Sequence, residues 1–224
     1  MTEGTGAAGR LLGAGRTADV YEIDEAWVLR RDREGYRDAL AEGAVMAYVR
    51  EHGYPAPRVR LADSSRTDLV MRRLSGPTML GALGAGTMGA DEAGRILARL
   101  LRQLHDIPAR VSQRRVLHLD LHPDNVVLTP DGPCVIDWSD TQEGDPGLDW
   151  GTSAVILAQV AVDEGPLAAP AHAILKALLT DPSHLTENGL TEALRRRAAN
   201  PTMTPGEIEL LGKSEELIRP FMRG

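Results

Sequence analysis

The chain has 224 residues, with 32 Asp/Glu against 25 Lys/Arg and a formal net charge of −7. That length buries one domain or two small lobes, and the acidic balance argues against nucleic acid as the main partner. Met1 to Arg10 lacks the apolar core of a signal segment and the most apolar stretch, Ala154 to Val162, is too short to span a bilayer, so no membrane partner and a cytoplasmic location are expected.

The first informative stretch is Leu11-Leu12-Gly13-Ala14-Gly15-Arg16-Thr17-Ala18-Asp19-Val20-Tyr21, a glycine-rich turn between short β-like runs. A dinucleotide-binding turn needs a helix directly after its glycines. Val20 to Ile23 reads as a strand instead. Ala26 to Arg30 is the next strand. Glu34 to His52 follows as a helix, with Tyr36, Leu40, Ala44 and Ala47 near one face by 3–4 spacing and Glu42 at mid-helix. Gly53-Tyr54-Pro55-Ala56-Pro57 ends the helix. Arg58 to Leu61 and Leu69 to Arg72 read as two strands around Asp63-Ser64-Ser65. Leu74-Ser75-Gly76-Pro77 reads as a hinge, which divides the chain into lobes at 1–75 and 76–224.

Gly81 to Gly89 is Gly/Ala-rich and carries no clear pattern. Asp91 to Asp106 is a helix whose Ile96, Leu97, Leu100, Leu101 and Leu104 form a broad apolar face. His105 closes it, where a cation suits the helix C-terminus. Then comes His118-Leu119-Asp120-Leu121-His122-Pro123-Asp124-Asn125. Behind it, Val126-Val127-Leu128, the turn Thr129-Pro130-Asp131-Gly132 and Val135-Ile136-Asp137-Trp138 read as a β-hairpin. The turn lies midway between Asn125 and Asp137, so antiparallel pairing is expected to bring these two face to face at the open end. Asp120, Asn125 and Asp137 are hard oxygen groups of the kind that bind Mg²⁺ together with substrate phosphates. Cys134 is the only cysteine; it excludes an intrachain disulfide and reads as a buried, inert thiol. Beyond Asp145-Pro146-Gly147-Leu148-Asp149, helices are expected at Trp150 to Val162, Pro170 to Leu179, Thr191 to Ala198 and Pro205 to Met222, punctuated by prolines.

The Asp-x₄-Asn spacing of Asp120 and Asn125 is that of the kinase catalytic loop. Together with Ile136-Asp137-Trp138 and Asp145-Pro146-Gly147-Leu148-Asp149, it resembles the aminoglycoside phosphotransferase family of small-molecule kinases, which usually carries Gly where Leu119 stands. The resemblance implies an α+β, protein-kinase-like two-lobed fold: a β-rich N-lobe with one helix, and a mainly helical C-lobe. It implies transfer of the terminal phosphate of ATP or GTP, with Mg²⁺, to a hydroxyl of a small molecule. Asp120 becomes the catalytic base, and Asn125 and Asp137 the metal ligands. Gly13 and Gly15 become the phosphate-covering loop, and Met71 to Leu74 the backbone beside the adenine. Asp149 becomes a brace for the catalytic loop. Kinases place a lysine on the third strand, paired with a helix glutamate. The two lysines here are Lys176 and Lys213, so Arg30 takes that role with Glu42 as its partner, and Arg31 and Arg33 are its rivals.

Three other readings stand beside this one. His118-x-Asp120-x-His122 on a strand would put zinc ligands on one face. A protein kinase would need more room than the eleven residues between Asp137 and Asp149 for an activation loop. A kinase-like pseudoenzyme would bind nucleotide or small molecule without turnover. From Asp120 to Asp149 there are eight carboxylates and no Lys or Arg. Asp124, Asp140, Glu143 and Asp145 are left over once the proposed chemistry and the turn are served, and such a field attracts cations. A neutral or amino-bearing acceptor follows as the expectation.

Overall fold

The structure is a computed structural model that describes residues 9–15, 18–33, 38–110, 114–201 and 203–223. It divides into two compact units, Met1–Gly76 with Thr129–Ser139, and Pro77–Leu128 with Asp140–Gly224.

The first unit is built on an antiparallel sheet of β1 (Leu11–Ala14), β2 (Ala18–Glu22), β3 (Trp27–Asp32) and β4 (Asp68–Arg72), in that order. The β2–β3 turn closes on Asp24, whose Oδ1 accepts the N–H groups of Ala26 and Trp27 at 2.7 and 2.8 Å. Arg58 to Leu61 is not the expected strand. It makes one isolated bridge, Val59 with Met71, and then a 3₁₀ turn at Leu61–Asp63. Ser64 Oγ takes the Val70 N–H at 3.0 Å, so a side chain replaces the next rung of the ladder.

The helix of this unit, α1 (Ala39–Glu51), starts later than expected. Asp38 is extended and caps it by accepting from the Leu40 and Ala41 N–H groups, a common N-cap role. Expected positions 34–37 lie outside the described residues. Its buried face is Ala39, Glu42, Gly43, Met46 and Val49, not the one through Leu40, Ala44 and Ala47. Two things hid that face: it contains a charged residue, and it contains a glycine. At Gly43 a Cβ would stand 2.7 Å from Leu61 Cδ2 and 2.8 Å from Leu69 Cδ1. The core of the unit gathers Val28, Met46, Val49, Leu69 and Val70. Thr129–Ser139 belongs here because Trp138 meets Tyr54 edge-on at 5.5 Å and the Val135 N–H donates to Pro55 O at 2.7 Å.

The expected hairpin forms from β6 (Val126–Thr129) and β7 (Gly132–Val135). Its turn closes through Thr129 Oγ1, which donates to Gly132 O at 2.8 Å, and Gly132 has φ +115°, where only glycine is unstrained. Cys134 is buried there, and burial pushes its thiol up to about 11, so the sulfur is inert at neutral pH.

The second unit is mainly helical. Short α2 (Met79–Gly84), begun by Thr78 as N-cap, falls where the Gly/Ala-rich sequence gave no pattern. It is followed by α3 (Ala90–His105), β5 (Arg115–Leu117) and β8 (Gln142–Gly144), and then α4 (Pro146–Val162), α5 (Ala168–Leu178), α6 (Glu187–Ala198) and α7 (Pro205–Ile218). Leu97, Leu100, Leu101 and Leu104 of α3 are buried as expected. The central helix is α4, packed against α5, α6 and α7 and buried around most of its circumference, as a core helix should be. It starts four residues before the expected Trp150, because Asp145 caps it by accepting the Gly147 N–H at 2.8 Å and Pro146 sits at the first turn. Glycines set its distance from α6: a Cβ at Gly189 would stand 2.2 Å from Gly147 C and O, both backbone atoms. β5 and β8 pair antiparallel, Arg115 with Gly144, Val116 with Glu143 and Leu117 with Gln142. Strands of three residues are too short to show an alternation in sequence. Among the described residues, no helix is long and apolar enough to cross a membrane.

Candidate active site

In the second unit the segment His118–Asn125 is held from below by one carboxylate. Asp149, in the first turn of α4, is fully buried. Its Oδ2 accepts the His118 N–H at 2.8 Å and its Oδ1 the Leu119 N–H at 2.7 Å. The His105 side chain, at the end of α3, gives the carboxylate its third hydrogen bond, from Nε2 to Oδ2 at 3.0 Å. Burial pushes the Asp149 carboxyl up, but the hydrogen bonds and positive ends of His105 and His118 outweigh it and hold the group below the usual range. A buried ionised carboxylate needs such donors.

The clamp fixes an unusual backbone. Leu119 has φ +65°, a left-handed conformation that costs a side-chain-bearing residue about 1–2 kcal/mol. Immediately after it, the Asp120 N–H donates to His118 Nδ1 at 3.3 Å. His122 caps the next turn, its Nδ1 accepting the Asp124 N–H. Asn125 closes the loop: its Nδ2 donates to the Asp120 backbone O at 2.8 Å and to Asp120 Oδ2 at 2.9 Å. Both partners are acceptors, which fixes the amide's orientation and turns its oxygen away from Asp120, available to a cation. Burial pushes the Asp120 carboxyl up; the hydrogen bond and charge of His122, with smaller help from His118 and Asn125, bring it below the ordinary value. It is an anion at neutral pH, half-buried, beside a hard oxygen donor.

This geometry does not support the zinc reading. His118 is fully buried, and Nδ1 of both His118 and His122 already accepts a loop N–H. Among the described residues no three His, Cys, Asp or Glu side chains gather as a metal site by themselves. A cation held here would depend on few carboxylates plus outside oxygens, which is how Mg²⁺ binds.

The first unit carries the other expected residues. Arg30, on β3, donates from Nη2 to Glu42 Oε2, and their side chains are only 17% and 4% exposed. The rivals are engaged elsewhere: Arg31 makes a two-pronged pair with Asp68 at 2.8 and 2.9 Å, and Arg33 pairs with Asp19. Gly13 stands opposite Val20 in β1, and the Gly15 N–H donates to Ala18 O at 2.8 Å; Arg16 and Thr17, between them, lie outside the described residues. Met71 sits in β4 opposite Val28 of β3. Asp137 follows Ile136 at φ +60° and accepts from Ser139 Oγ at 2.7 Å. Leu119 and Asp137 are the described non-glycine residues with positive φ, and strained backbone of this kind collects at functional sites.

Sequence reasoning underrated His105. It was read as a helix-end cation, yet Leu97, Leu101 and His105 fall four apart on the buried face of α3, and that spacing was visible. It also overrated two carboxylates. Glu143 accepts the Arg110 N–H at 3.0 Å, and Asp145 is the α4 cap. Of the four acids counted toward an amino-bearing acceptor, these two have structural work; Asp124 and Asp140 are both exposed.

A β-rich unit with one helix and a mainly helical unit that clamps an Asp-x₄-Asn segment define a kinase of the protein-kinase-like α+β fold. The chain belongs to the phosphotransferase enzyme family, whose model matches residues 8–114 and 108–187; it is a small-molecule kinase of the aminoglycoside phosphotransferase type. No curated protein sequence matches it. Its fold is similar to that of an ADP-bound aminoglycoside phosphotransferase, 14% identical over 95% of this chain and 93% of that one, with TM-score 0.56. An amicoumacin kinase in complex with AMP-PNP and Ca²⁺ is 14% identical, with coverage of 94% and 87% and TM-score 0.55. A choline/ethanolamine kinase family protein from Mesorhizobium loti is 17% identical, with coverage of 98% and 91% and TM-score 0.56.

Proposed function

We propose that the enzyme transfers the terminal phosphate of ATP or GTP, as the Mg²⁺ complex, to a hydroxyl of an amino-bearing small molecule in the cytoplasm. The observation that carries this reading is the Asp149-clamped segment, which presents an ionised Asp120 with the Asn125 amide oriented by it. Asp120 orients the acceptor hydroxyl and takes its proton as the oxygen attacks the terminal phosphorus and ADP or GDP leaves. Asn125 and Asp137 are the residues suited to hold Mg²⁺, which supplies charge neutralisation at the phosphates. Arg30, oriented by Glu42, and the backbone of Gly13 and Gly15 hold the triphosphate; a guanidinium offers a planar fork in place of the lysine's point charge. Met71 lies where β4 contributes backbone beside the base. Residues 1–75 thus cover the nucleotide, and residues 76–224 carry catalysis and the acceptor. The amino-bearing acceptor rests on the family and on the exposed carboxylates Asp124 and Asp140.

The test is nucleotide turnover with a panel of hydroxylated amines, sugars and sugar acids, with and without Mg²⁺. Mg²⁺-dependent release of ADP or GDP with an amine-bearing acceptor supports the proposal. Tight nucleotide binding with no turnover on any acceptor favours a binding module instead. In the same assay Asp137→Ala should lose the Mg²⁺ dependence of nucleotide binding, and Asn125→Ala should weaken it less, because the amide carries no charge.

A further inference from the structure

A cavity of about 670 Å³ opens in the second unit between β5, β8, the first turn of α4 and one side of α6. That is within the ~300–1,000 Å³ typical of small-molecule sites. None of the roles proposed above uses it. Its charge runs against that of the lobe. After Gly76 the chain has 20 Asp/Glu and 13 Lys/Arg, yet Arg114, Arg115 and Arg196 all line this one cavity.

The register of the β5–β8 pair decides which charges face a ligand. Direct antiparallel partners share a face. Arg115 with Gly144 and Leu117 with Gln142 therefore form one face, and Val116 with Glu143 the other. Glu143 borders the cavity, but its carboxylate belongs to the opposite face, where it accepts the Arg110 N–H. Asp145 is occupied as the cap of α4. Glu192 is saturated: Arg195 grips it with two hydrogen bonds of 2.7 and 2.8 Å, and Arg196 Nε adds a third at 2.8 Å. Each carboxylate on the cavity has work elsewhere.

Of the arginines, Arg196 is thus paired with Glu192 at 2.8 Å, and Arg115 is the one that carries the site. Arg115 is half-buried, and its guanidinium donates only to a backbone carbonyl, Arg114 O at 3.2 Å. Its cross-strand partner is Gly144, where the Leu117 side chain fills the place a Cβ would take, its Cδ1 2.6 Å away, so an apolar group and not a carboxylate stands opposite Arg115. Across the cavity, Arg196 Nη1 donates to Gln142 Oε1 at 3.0 Å, which holds that second guanidinium against the β5–β8 face. A guanidinium has five N–H donors in a planar fork, and leaving them unmet in a partly desolvated cavity is costly.

We propose that this cavity is a binding site for the carboxylate or phosphate group of a small molecule, with Arg115 as the principal anchor and Arg196 as the second. The site lies on the strand that leads directly into His118. It is independent of the acceptor class proposed above.

The experiment is calorimetric titration of the full-length protein, at low ionic strength, with inorganic phosphate and separately with succinate. One-to-one binding of either is expected, weakened about tenfold or more in Arg115→Gln with an unchanged melting temperature. Arg115→Lys, which keeps the charge and the stem but not the fork, should give a smaller loss, and serves if the glutamine variant fails to fold. Phosphate binding alone assigns a phosphoryl group, succinate binding alone a carboxylate. Three results overturn the site: no binding of either anion to the unaltered protein, the same affinity in both Arg115 variants, or binding that Mg·ADP abolishes and Arg115→Gln leaves intact. The last would place the anion with the nucleotide, and none of the three depends on turnover.

Discussion

In the antiparallel sheet, charge is met by charge. Arg31 faces Asp68, Arg33 pairs with Asp19, and Glu22 takes both Arg10 and Arg73. The arginines of these pairs keep more than a third of their side chains in solvent, and solvated pairs contribute about 0–1 kcal/mol each. The His118–Asn125 segment is held differently. One fully buried carboxylate collects two backbone N–H groups and an imidazole, and a loop N–H or amide ties each following turn. The sheet spreads its charges over several pairs, whereas the entrance of the His118–Asn125 segment gathers its hydrogen bonds on one carboxylate. Arg30 with Glu42 is the exception in the first unit. Among the described ion pairs of that unit it is the most buried, at 17% and 4% exposure, and it is the one proposed to serve the nucleotide.

The contrast can be broken most directly at Asp149. Asp149→Ala leaves three buried donors without an acceptor, and breaking a buried charged network costs about 3–5 kcal/mol. Denaturant unfolding should show a loss of that size; a loss under about 1 kcal/mol would mean the clamp is not what holds the segment. The effect has a pH signature. Because the folded-state carboxyl titrates below its ordinary value, its contribution is fully present above the unfolded value near ~3.9 and is lost as pH falls through the folded one. The gap between the unaltered protein and Asp149→Ala should therefore be constant above about pH 5 and narrow as the pH drops below about 4.

Next in size is the contact that seats α4. Gly189→Ala places a methyl 2.2 Å from the backbone of Gly147, where no flexible end can yield, and overpacking costs about 1–3 kcal/mol. An unchanged unfolding midpoint would show that α6 slides away from α4 freely.

The sheet's side of the comparison predicts small numbers. Arg31→Gln should cost no more than about 1 kcal/mol, and less in high salt, where surface pairs are screened. A loss near that of Asp149→Ala would erase the distinction between the two regions. Leu119→Gly should be smaller still. It relieves the left-handed backbone, about 1–2 kcal/mol, and adds unfolded-chain freedom worth about 0.5–1 kcal/mol, so the net change stays within about 1 kcal/mol and leans toward stabilisation. Leu119→Val, β-branched at positive φ, should be clearly worse. If the valine variant matches the glycine variant, the backbone at 119 is not strained.

Legibility in the sequence followed the same divide. The His118–Asn125 segment stands out in the sequence because its residue types recur at fixed spacing, and the Arg30–Glu42 pair because a strand and a helix can be placed around it. Asp149 was read as a brace, and the structure gives that role its three donors. The buried face of α1 was missed because Glu42 and Gly43 lie on it, and neither registers as apolar. Asp145-Pro146 reads as part of the family motif and is also a helix start, so the expected helix begins at Trp150, four residues after α4 does. The tertiary setting that occupies Glu143 and Asp145 has no local signature: one bonds to Arg110, far away in the chain, and the other to its own helix. The Arg115 cavity was hidden for a similar reason, since it arises from the register of two three-residue strands.

The account rests most heavily on Asp120 as the base. The direct measurement is single-turnover phosphoryl transfer by Asp120→Asn at saturating nucleotide and Mg²⁺, with nucleotide affinity and melting temperature recorded on the same preparation. The amide cannot accept the proton, so transfer should fall roughly 10²–10⁴-fold while affinity and stability stay near those of the unaltered enzyme. Transfer within a few-fold of the unaltered enzyme would contradict the assignment, and with it the proposed mechanism.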